Sequence, residues 1–491
     1  MFTAFFLPLG LVLLNFYLRI KPRLTQRSFG IDSWYYLFYA DEFRKQKRLP
    51  VILPYFLLDI TEQWYPPVMP MTLSFLPQKF LEKFNWAISA VIDTAQMLVL
   101  YFVSYFLTKN LLCAALASLF YAASPILVTQ NSNLNSRALG SFLFTLLMLC
   151  AYGYASSLNL CFLIAALIFG AALLLTHKLA TQQAVFIMIA FSAIYFNPLF
   201  IFILAGIYFC AVLLSGGFYL KILKGHLEIL RFWKKNLSNL YVHPVYRSPL
   251  YFNEEKAATM RGCGGIASNA FWLNLAKLQF ILLIITIACY AFLNWQKFTF
   301  AETYFLNWFF INILCIFTIT YYQPVKFLGE GQRYFTYGIF PASFLLSRLI
   351  FVNYVSFAIA IFLIISFLLI FKIHGEQKKN IMATIDADLD EMVGYIKTLP
   401  RDNVMCFPVS YCEYIAYFCR KKTLWGAHGS GYAKLQDFWP ILLKPVEYFI
   451  QAYGISYCLL NERYVLLDDL KLPVKYKVIK ELHQYRLIEF I

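Results

Sequence analysis

Charge is what this sequence has least of: 14% of its 491 residues are Asp, Glu, Lys or Arg and 60% are hydrophobic, where a soluble domain carries roughly a quarter charged residues. That shortage excludes an ordinary water-soluble globule and makes the chain an integral membrane protein. No Gly-rich phosphate loop follows a strand-like segment, which removes a soluble nucleotide site. No internal repeat is visible, which counts against the matched halves of many secondary transporters. A net charge of +16 could suggest nucleic acid, but the Lys and Arg are scattered between apolar segments and accompany no nucleic-acid fold motif. The membrane surface or a phosphate-bearing lipid is the expected partner instead. Met1 to Leu18 lacks a basic leader and a small-residue cleavage pattern, so it reads as a retained first span.

Apolar windows predict spans near 2–18, 86–108, 111–129, 141–157, 158–176, 182–197, 198–219, 276–295, 303–321, 336–352 and 354–372, about eleven in all. The weakest division is 182–219, where Asn197-Pro198 must break the run as two spans or as a re-entrant pair. With a cytoplasmic N-terminus, eleven spans put the first loop, Gln130–Gly140, the turn at His177, Tyr322–Phe335 and the C-terminal region on the outer side. Segment 220–275 would then also lie outside, although Lys221, Lys224, Arg231, Lys234 and Lys235 cluster there against the positive-inside tendency. A headgroup-level amphipathic helix built from Leu223, Leu227, Leu230 and Trp233 would ease that conflict.

The composition changes after Ile373. Residues 1–372 read as the membrane domain, with a long first outer loop at 19–85; residues 373–491 read as a water-exposed domain. In the latter, Asp386–Leu399, Tyr411–Cys419 and Phe438–Tyr453 read as helices and Asn403–Val409 and Ile455–Leu460 as strands, a small α/β layer. Cys406, Cys412, Cys419 and Cys458 share this domain, and a disulfide among them is open if it faces an oxidising space, with no pairing specified.

Candidate chemistry gathers at span ends. Asp32, in Gly30-Ile31-Asp32-Ser33-Trp34, follows the first span and a basic stretch; it is either a catalytic base kept ionised by its arginines or a charge on an interfacial helix. Trp34, Tyr35 and the rigid Tyr65-Pro66-Pro67 are candidate groove walls in the same loop, while Asp41 and Glu42 read as surface charge. Arg137, in Ser136-Arg137-Ala138-Leu139-Gly140, suits phosphate through its planar fork or else snorkels to the interface. His177, in Thr176-His177-Lys178, is read first as structural, since no second His or Cys lies at metal-ligand spacing. In Gly329-Glu330-Gly331-Gln332-Arg333-Tyr334, Arg333 is a second phosphate candidate beside Glu330 and Gln332, unless it pairs with Glu330. Asp93, inside a span, needs a cavity or a partner and is where a transporter reading would centre.

Taken in this order, these motifs, with the C-terminal Tyr453-Gly454-Ile455-Ser456-Tyr457, resemble the GT-C superfamily of polytopic glycosyltransferases. The likeness is to bacterial members and, more distantly, to oligosaccharyltransferase catalytic subunits and the protein O-mannosyltransferase and aminoarabinose transferase group. The resemblance implies an α-helical polytopic GT-C-like fold with a C-terminal soluble α/β domain, in the inner membrane with its active site outward. It implies transfer of a sugar from a polyprenyl-phosphate donor to a glycan, lipid or protein acceptor. Asp32 would serve as base or acceptor-positioning group; Arg137, Arg333 and Lys178 would bind the donor phosphate; Trp34, Tyr35, Tyr65, His177, Glu330 and Gln332 would line the groove. No metal ligand is assigned, although Mg or Mn is compatible with the scheme; one acid per loop favours a metal-free reaction. Two departures stand out: Gln332 replaces a frequent Glu, and the Trp-Trp-Asp motif is absent, which leaves protein N-glycosylation unsupported. A polysaccharide polymerase, a lipid-sugar flippase and a transporter centred on Asp93 are the rival readings.

Overall fold

The computed structural model describes residues 2–25, 33–239, 242–259, 283–288, 291–292, 298–349, 356–378, 385–426, 428, 431–472 and 475–491. Asp32, most of the predicted span 276–295 and the loop around Cys263 lie outside the described residues. The chain forms two compact units: one of Met1–Thr25, Trp86–Tyr219 and Asn269–Lys379, the other of Gln26–Asn85, Leu220–Ser268 and Asn380–Ile491.

The first unit is helical. Helices cover each predicted span apart from 276–295, although several are too short or too polar to count as a span by themselves. Among the described residues, three helices are long and apolar enough to cross a bilayer (Gln78–Thr108, Ser136–Ser157 and Phe300–Tyr321), or five if each bent pair is one span. The span expected at 111–129 is such a pair. Leu111–Ala122, capped by the Asn110 side chain on Leu112 N (2.8 Å), gives way to Pro125–Asn131 at a 58° bend, since Pro125 cannot donate into the preceding turn. The break expected at Asn197-Pro198 is present: Lys178–Ile194 ends, Phe196 takes a left-handed conformation, and Asn197 Oδ1 accepts from Leu199 N at 2.9 Å to start Leu199–Leu214. Phe106, Ile164, Phe202, Phe209 and Leu213 are exposed, an apolar outer surface suited to lipid.

Inside this unit lies a buried polar cluster. Arg19 Nε donates to Asp93 Oδ2 at 2.8 Å with both side chains wholly buried. Asn15 (3.1 Å), Tyr121 (2.9 Å) and Asn131 (2.6 Å) donate to the same carboxylate, and Arg19 reaches the Ala122 carbonyl at 2.6 Å. Asp93 therefore has four donors converging on two oxygens, the arrangement that makes a buried charge tolerable.

The second unit is built on a five-stranded sheet in the order β2-β1-β3-β5-β4, with β1 Asn403–Phe407, β2 Lys422–Thr423, β3 Tyr457–Asn461, β4 Tyr476–Leu482 and β5 Tyr485–Phe490. Strand β1 pairs parallel with β2 and β3, and β5 pairs antiparallel with β3 and β4. The helices Ala387–Thr398, capped by Asp386, and Tyr411–Cys419 match the sequence reading. The helix expected over Phe438–Tyr453 is confined to Val446–Tyr453, because Pro440 and Pro445 interrupt it. Residues of the first loop join the sheet edge: Thr423 N donates to Tyr55 O (2.7 Å), and Leu57 N and Leu58 N donate to Thr423 O and Leu424 O (both 2.9 Å). Cys406, Cys412, Cys419 and Cys458 are buried free thiols, so no disulfide joins them.

On the basic helix Phe218–Asn236, Trp233 packs edge-on against Trp439 at 5.1 Å beside the buried Phe232. Two of its lysines turn to the first loop, Lys221 pairing with Glu62 at 2.7 Å and Lys224 lying 5.1 Å from the Trp64 ring.

His243 is a pH-sensitive pin of this unit. Its Nδ1 accepts from Val245 N and Tyr246 N, both at 3.2 Å, and its Nε2 faces the Tyr464 carbonyl at 3.0 Å. Two donors on one ring nitrogen require the neutral tautomer. Burial pushes the imidazole down from 6.5 to about 4, with the Tyr464 carbonyl opposing. Between those values the unfolded chain binds the extra proton, so stability is intact above 6.5 and falls as pH drops towards 4, by about 3 kcal/mol at the lower end. Urea unfolding of the detergent-solubilised protein, followed by tryptophan emission, checks this: His243→Asn should flatten the acid slope, and an unchanged slope would dismiss the histidine.

Candidate active site

Three of the sequence motifs meet in the first unit. Ser136-Arg137 begins the helix Ser136–Ser157, and Asn135 caps it by accepting from Arg137 N (2.9 Å) and Ala138 N (3.3 Å). The cap is itself fixed, its Nδ2 donating to Gln130 O (2.6 Å) and Asn133 O (2.9 Å). Arg137 Nη1 donates to Gln130 Oε1. A carboxamide thus helps to hold the guanidinium in place.

One turn along, Gly140 allows the second motif in: a Cβ there would fall 2.8 Å from His177 Cβ. His177 is buried at the start of Lys178–Ile194 and its Nδ1 is 3.2 Å from Tyr337 Oη. Tyr337 lies within electrostatic range of Arg137, packs edge-on against Phe144 at 5.2 Å, and is anchored by Trp308 Nε1 donating to its carbonyl at 3.0 Å. Lys178 follows directly and is partly buried.

The third motif lies in the 3-10 turn Gly331–Gly338. Gly329 has φ of +133°, a conformation open to glycine, and lies against Leu179. A Cβ on Gly331 would fall 2.8 Å from the Ile316 carbonyl oxygen, so the turn presses directly on the helix Phe300–Tyr321. Tyr334 Oη donates to Gln182, one turn beyond Lys178. Arg333, however, is committed: Nη2 and Nε reach the two oxygens of Glu330 at 2.7 and 2.9 Å, and Gln332 donates to the same carboxylate at 3.1 Å. The pairing left open in the sequence is what forms, and it removes Arg333 as an uncompensated cation. Arg137, His177, Lys178, Glu330, Gln332 and Arg333 thus share one unit.

The remaining candidates belong to the second unit. The helix Ser33–Gln46 buries Trp34 among Tyr414 (5.2 Å), Tyr417 (5.3 Å) and Phe418 (4.8 Å). Tyr35 is fully buried, donating to Gln63 Oε1 at 3.0 Å, and Tyr65 pairs hydroxyls with Tyr36 at 2.8 Å. Trp34 and Tyr35 therefore brace the loop from behind and offer little surface as groove walls. Asp41 is no surface charge: it is buried, and although burial favours its neutral form, Lys45 and Arg420 outweigh that and hold it below the usual carboxylate range.

Sequence reading passed over a second cluster here. Glu413, 2% exposed, accepts from the His428 backbone N (3.2 Å) and is 3.1 Å from its Nδ1. Nearby Asp59 is buried, and burial raises it well above the carboxylate range against the Gly426 N–H that favours its ionised form. A histidine set in the glycine-rich Gly426–Gly431 stretch was the available signal. Among the described residues, no three His, Cys, Asp or Glu side chains are grouped to hold a metal ion.

No family model and no curated protein matches this sequence. Solved structures do. The oligosaccharyltransferase of Archaeoglobus fulgidus, tethered to an acceptor peptide containing the NVT sequon, aligns with a TM-score of 0.61 at 12% identity over 94% of this chain and 69% of that one. The same enzyme, AglB, in complex with an inhibitory peptide and a dolichol-phosphate, aligns with 0.58 at 12% identity over 93% and 69%. ArnT from Cupriavidus metallidurans bound to undecaprenyl phosphate aligns with 0.50 at 9% identity over 98% and 97%. At such identities the likeness shows the fold alone: this chain shares the architecture of the oligosaccharyltransferase and ArnT structures.

Proposed function

With that fold as premise, we propose that the chain transfers a sugar from a polyprenyl-phosphate donor to an acceptor hydroxyl in the outer leaflet or periplasm, with its active site and C-terminal region on the outer face. The observation that carries the reading is the junction of Ser136–Gly140, Thr176–Lys178 and the Tyr334–Tyr337 turn in one unit, with Arg137 oriented by a neutral amide. Such a site suits a phosphate whose charge grows as the glycosidic bond breaks. Two aligned structures carry polyprenyl phosphates, undecaprenyl phosphate in ArnT and dolichol-phosphate in AglB, which supports the same donor class here.

In this scheme Arg137 and Lys178 bind the donor phosphate and stabilise it as leaving group. His177 and Tyr337 hold the helix starts together, and Glu330 with Gln332 keeps Arg333 in a structural pair. Asp32 orients the acceptor hydroxyl or takes its proton, giving inversion at the sugar carbon. The absent Trp-Trp-Asp motif directs the acceptor away from a protein sequon.

The test is transfer from radiolabelled undecaprenyl-phosphate hexoses and pentoses by the full chain in nanodiscs. Asp32→Asn should cut turnover about a hundredfold while donor binding stays close to wild type. Undiminished turnover would remove Asp32 from the mechanism.

A further inference from the structure

The helix Phe218–Asn236 has two faces of opposite character. On one, Ile222, His226, Phe232 and Asn236 are buried, and Phe232 is stacked on Trp439 with centroids 5.7 Å apart and planes 8° from parallel. The single acid of the helix, Glu228, belongs to this side: it is half-buried and within electrostatic range of Tyr432, whose ring is 5.6 Å from that of Phe232. On the other face Leu220, Lys224, Leu227, Arg231 and Lys234, with Lys235 beside it, are exposed at steps of three and four residues, the spacing of one helical stripe. Leu220 and Leu227 are 57% and 46% exposed.

A helix face turned to water ordinarily mixes both signs of charge and leaves leucine to the buried side. This face joins leucine to cations alone, the composition of a helix lying along a headgroup layer. Its place in the chain agrees. The preceding helix Leu199–Leu214 carries no charged residue, and Leu213 and Leu214 in its last turn are 67% and 66% exposed, an apolar surface that calls for lipid to its very end. Only Ser215, Gly216 and Gly217 intervene before Phe218, and the two glycines take φ of +57° and +82°, a left-handed turn that other residues enter at a cost. Four peptide links reach about 14 Å at most, and a headgroup layer is roughly 5–8 Å thick on each side of the bilayer. The basic helix therefore starts within or beside that layer.

We propose that this exposed face is a docking surface for anionic phospholipid, with Leu220 and Leu227 at the boundary of headgroups and acyl chains and Arg231, Lys234 and Lys235 on the lipid phosphates. Lys224 keeps to the Trp64 ring. The proposal is independent of the sugar-transfer reading. Each basic side chain at an anionic surface changes binding about fivefold, and the attraction is screened by salt.

The experiment uses the full chain in nanodiscs of phosphatidylcholine alone and of equal parts phosphatidylcholine and phosphatidylglycerol, with photoreactive p-benzoylphenylalanine in place of Leu227. Irradiation should attach lipid at that position in both discs, and peptide mass spectrometry of the mixed discs should find phosphatidylglycerol adducts about tenfold over phosphatidylcholine adducts. Arg231→Gln, Lys234→Gln and Lys235→Gln together should bring that ratio close to the even composition of the disc, and so should raising the salt to about 1 M. The salt measurement keeps the native charges, so it decides the matter even where the triple variant fails to fold. Adducts to protein instead of lipid, as a second copy or an acidic protein on this face would give, overturn the proposal. So does the absence of any adduct, and so does a lipid ratio that starts even or that salt leaves unmoved.

Discussion

Asp93→Ala is expected to destabilise the protein by about 3–5 kcal/mol, enough to abolish a monodisperse folded species in detergent. The magnitude follows from what would remain. Arg19 would keep its full charge at zero exposure with its anionic partner gone, and the donors of Asn15, Tyr121 and Asn131 would lose their shared acceptor. Breaking one side of a buried pair is costly in a way that replacing both sides is not. Arg19→Met combined with Asp93→Asn should therefore recover much of the loss, and the two changes should be far from additive. Size-exclusion profiles and thermal unfolding of the wild type, Asp93→Ala, Arg19→Met, Asp93→Asn and the double variant decide the matter, and an Asp93→Ala protein as stable as wild type would refute the account. The same geometry weakens a transporter centred on Asp93, since a carboxylate saturated by four protein donors has little capacity left for a transported ion.

The second large effect separates two arginines that look alike in sequence. Arg137→Ala should lower kcat/KM by about 10²–10³, the usual loss when one preorganised charge is taken from a developing anion. Arg333→Ala should cost only a fewfold, because Glu330 already holds that guanidinium through two bonds at 2.7 and 2.9 Å. Arg137→Lys should restore part of the activity and not all of it, since a point charge cannot reproduce the planar fork. Initial rates with one undecaprenyl-phosphate sugar suffice, and equal losses at the two positions would show that the pairing with Glu330 does not govern Arg333.

Much of the architecture was legible because hydrophobic runs and caps are local signals. Asn110, Asn135, Asn197 and Asp386 each accept a backbone N–H at a helix start, an interaction that is local in sequence. Strands β4 and β5 were not legible, since their edge residues are partly exposed and their alternation is weak. Proline and glycine interrupt the apolar runs at Pro125 and Gly216-Gly217, and there the helices bend, which a hydropathy window does not register. For the site, sequence pointed to Arg137, His177 and Lys178 because basic residues at span ends stand out against an apolar background. It gave no warning that Tyr337 would join them, nor that Glu413 and His428 would pair across fifteen positions, because side-chain meetings of that kind depend on tertiary packing. The fate of Arg333 was a choice between two physically reasonable partners, and proximity in sequence decided it.

The pairing of Tyr55, Leu57 and Leu58 with the chain around Thr423 and Leu424 also sets the timetable of biogenesis. The first loop leaves the ribosome well before the strand edge that receives its backbone is made. Until then its amides and carbonyls have only water or a chaperone for company, and the loop cannot reach its final form during elongation. Completion of this half of the molecule therefore waits on synthesis of that strand edge, and until then an aromatic, half-made loop must be kept from associating with its neighbours.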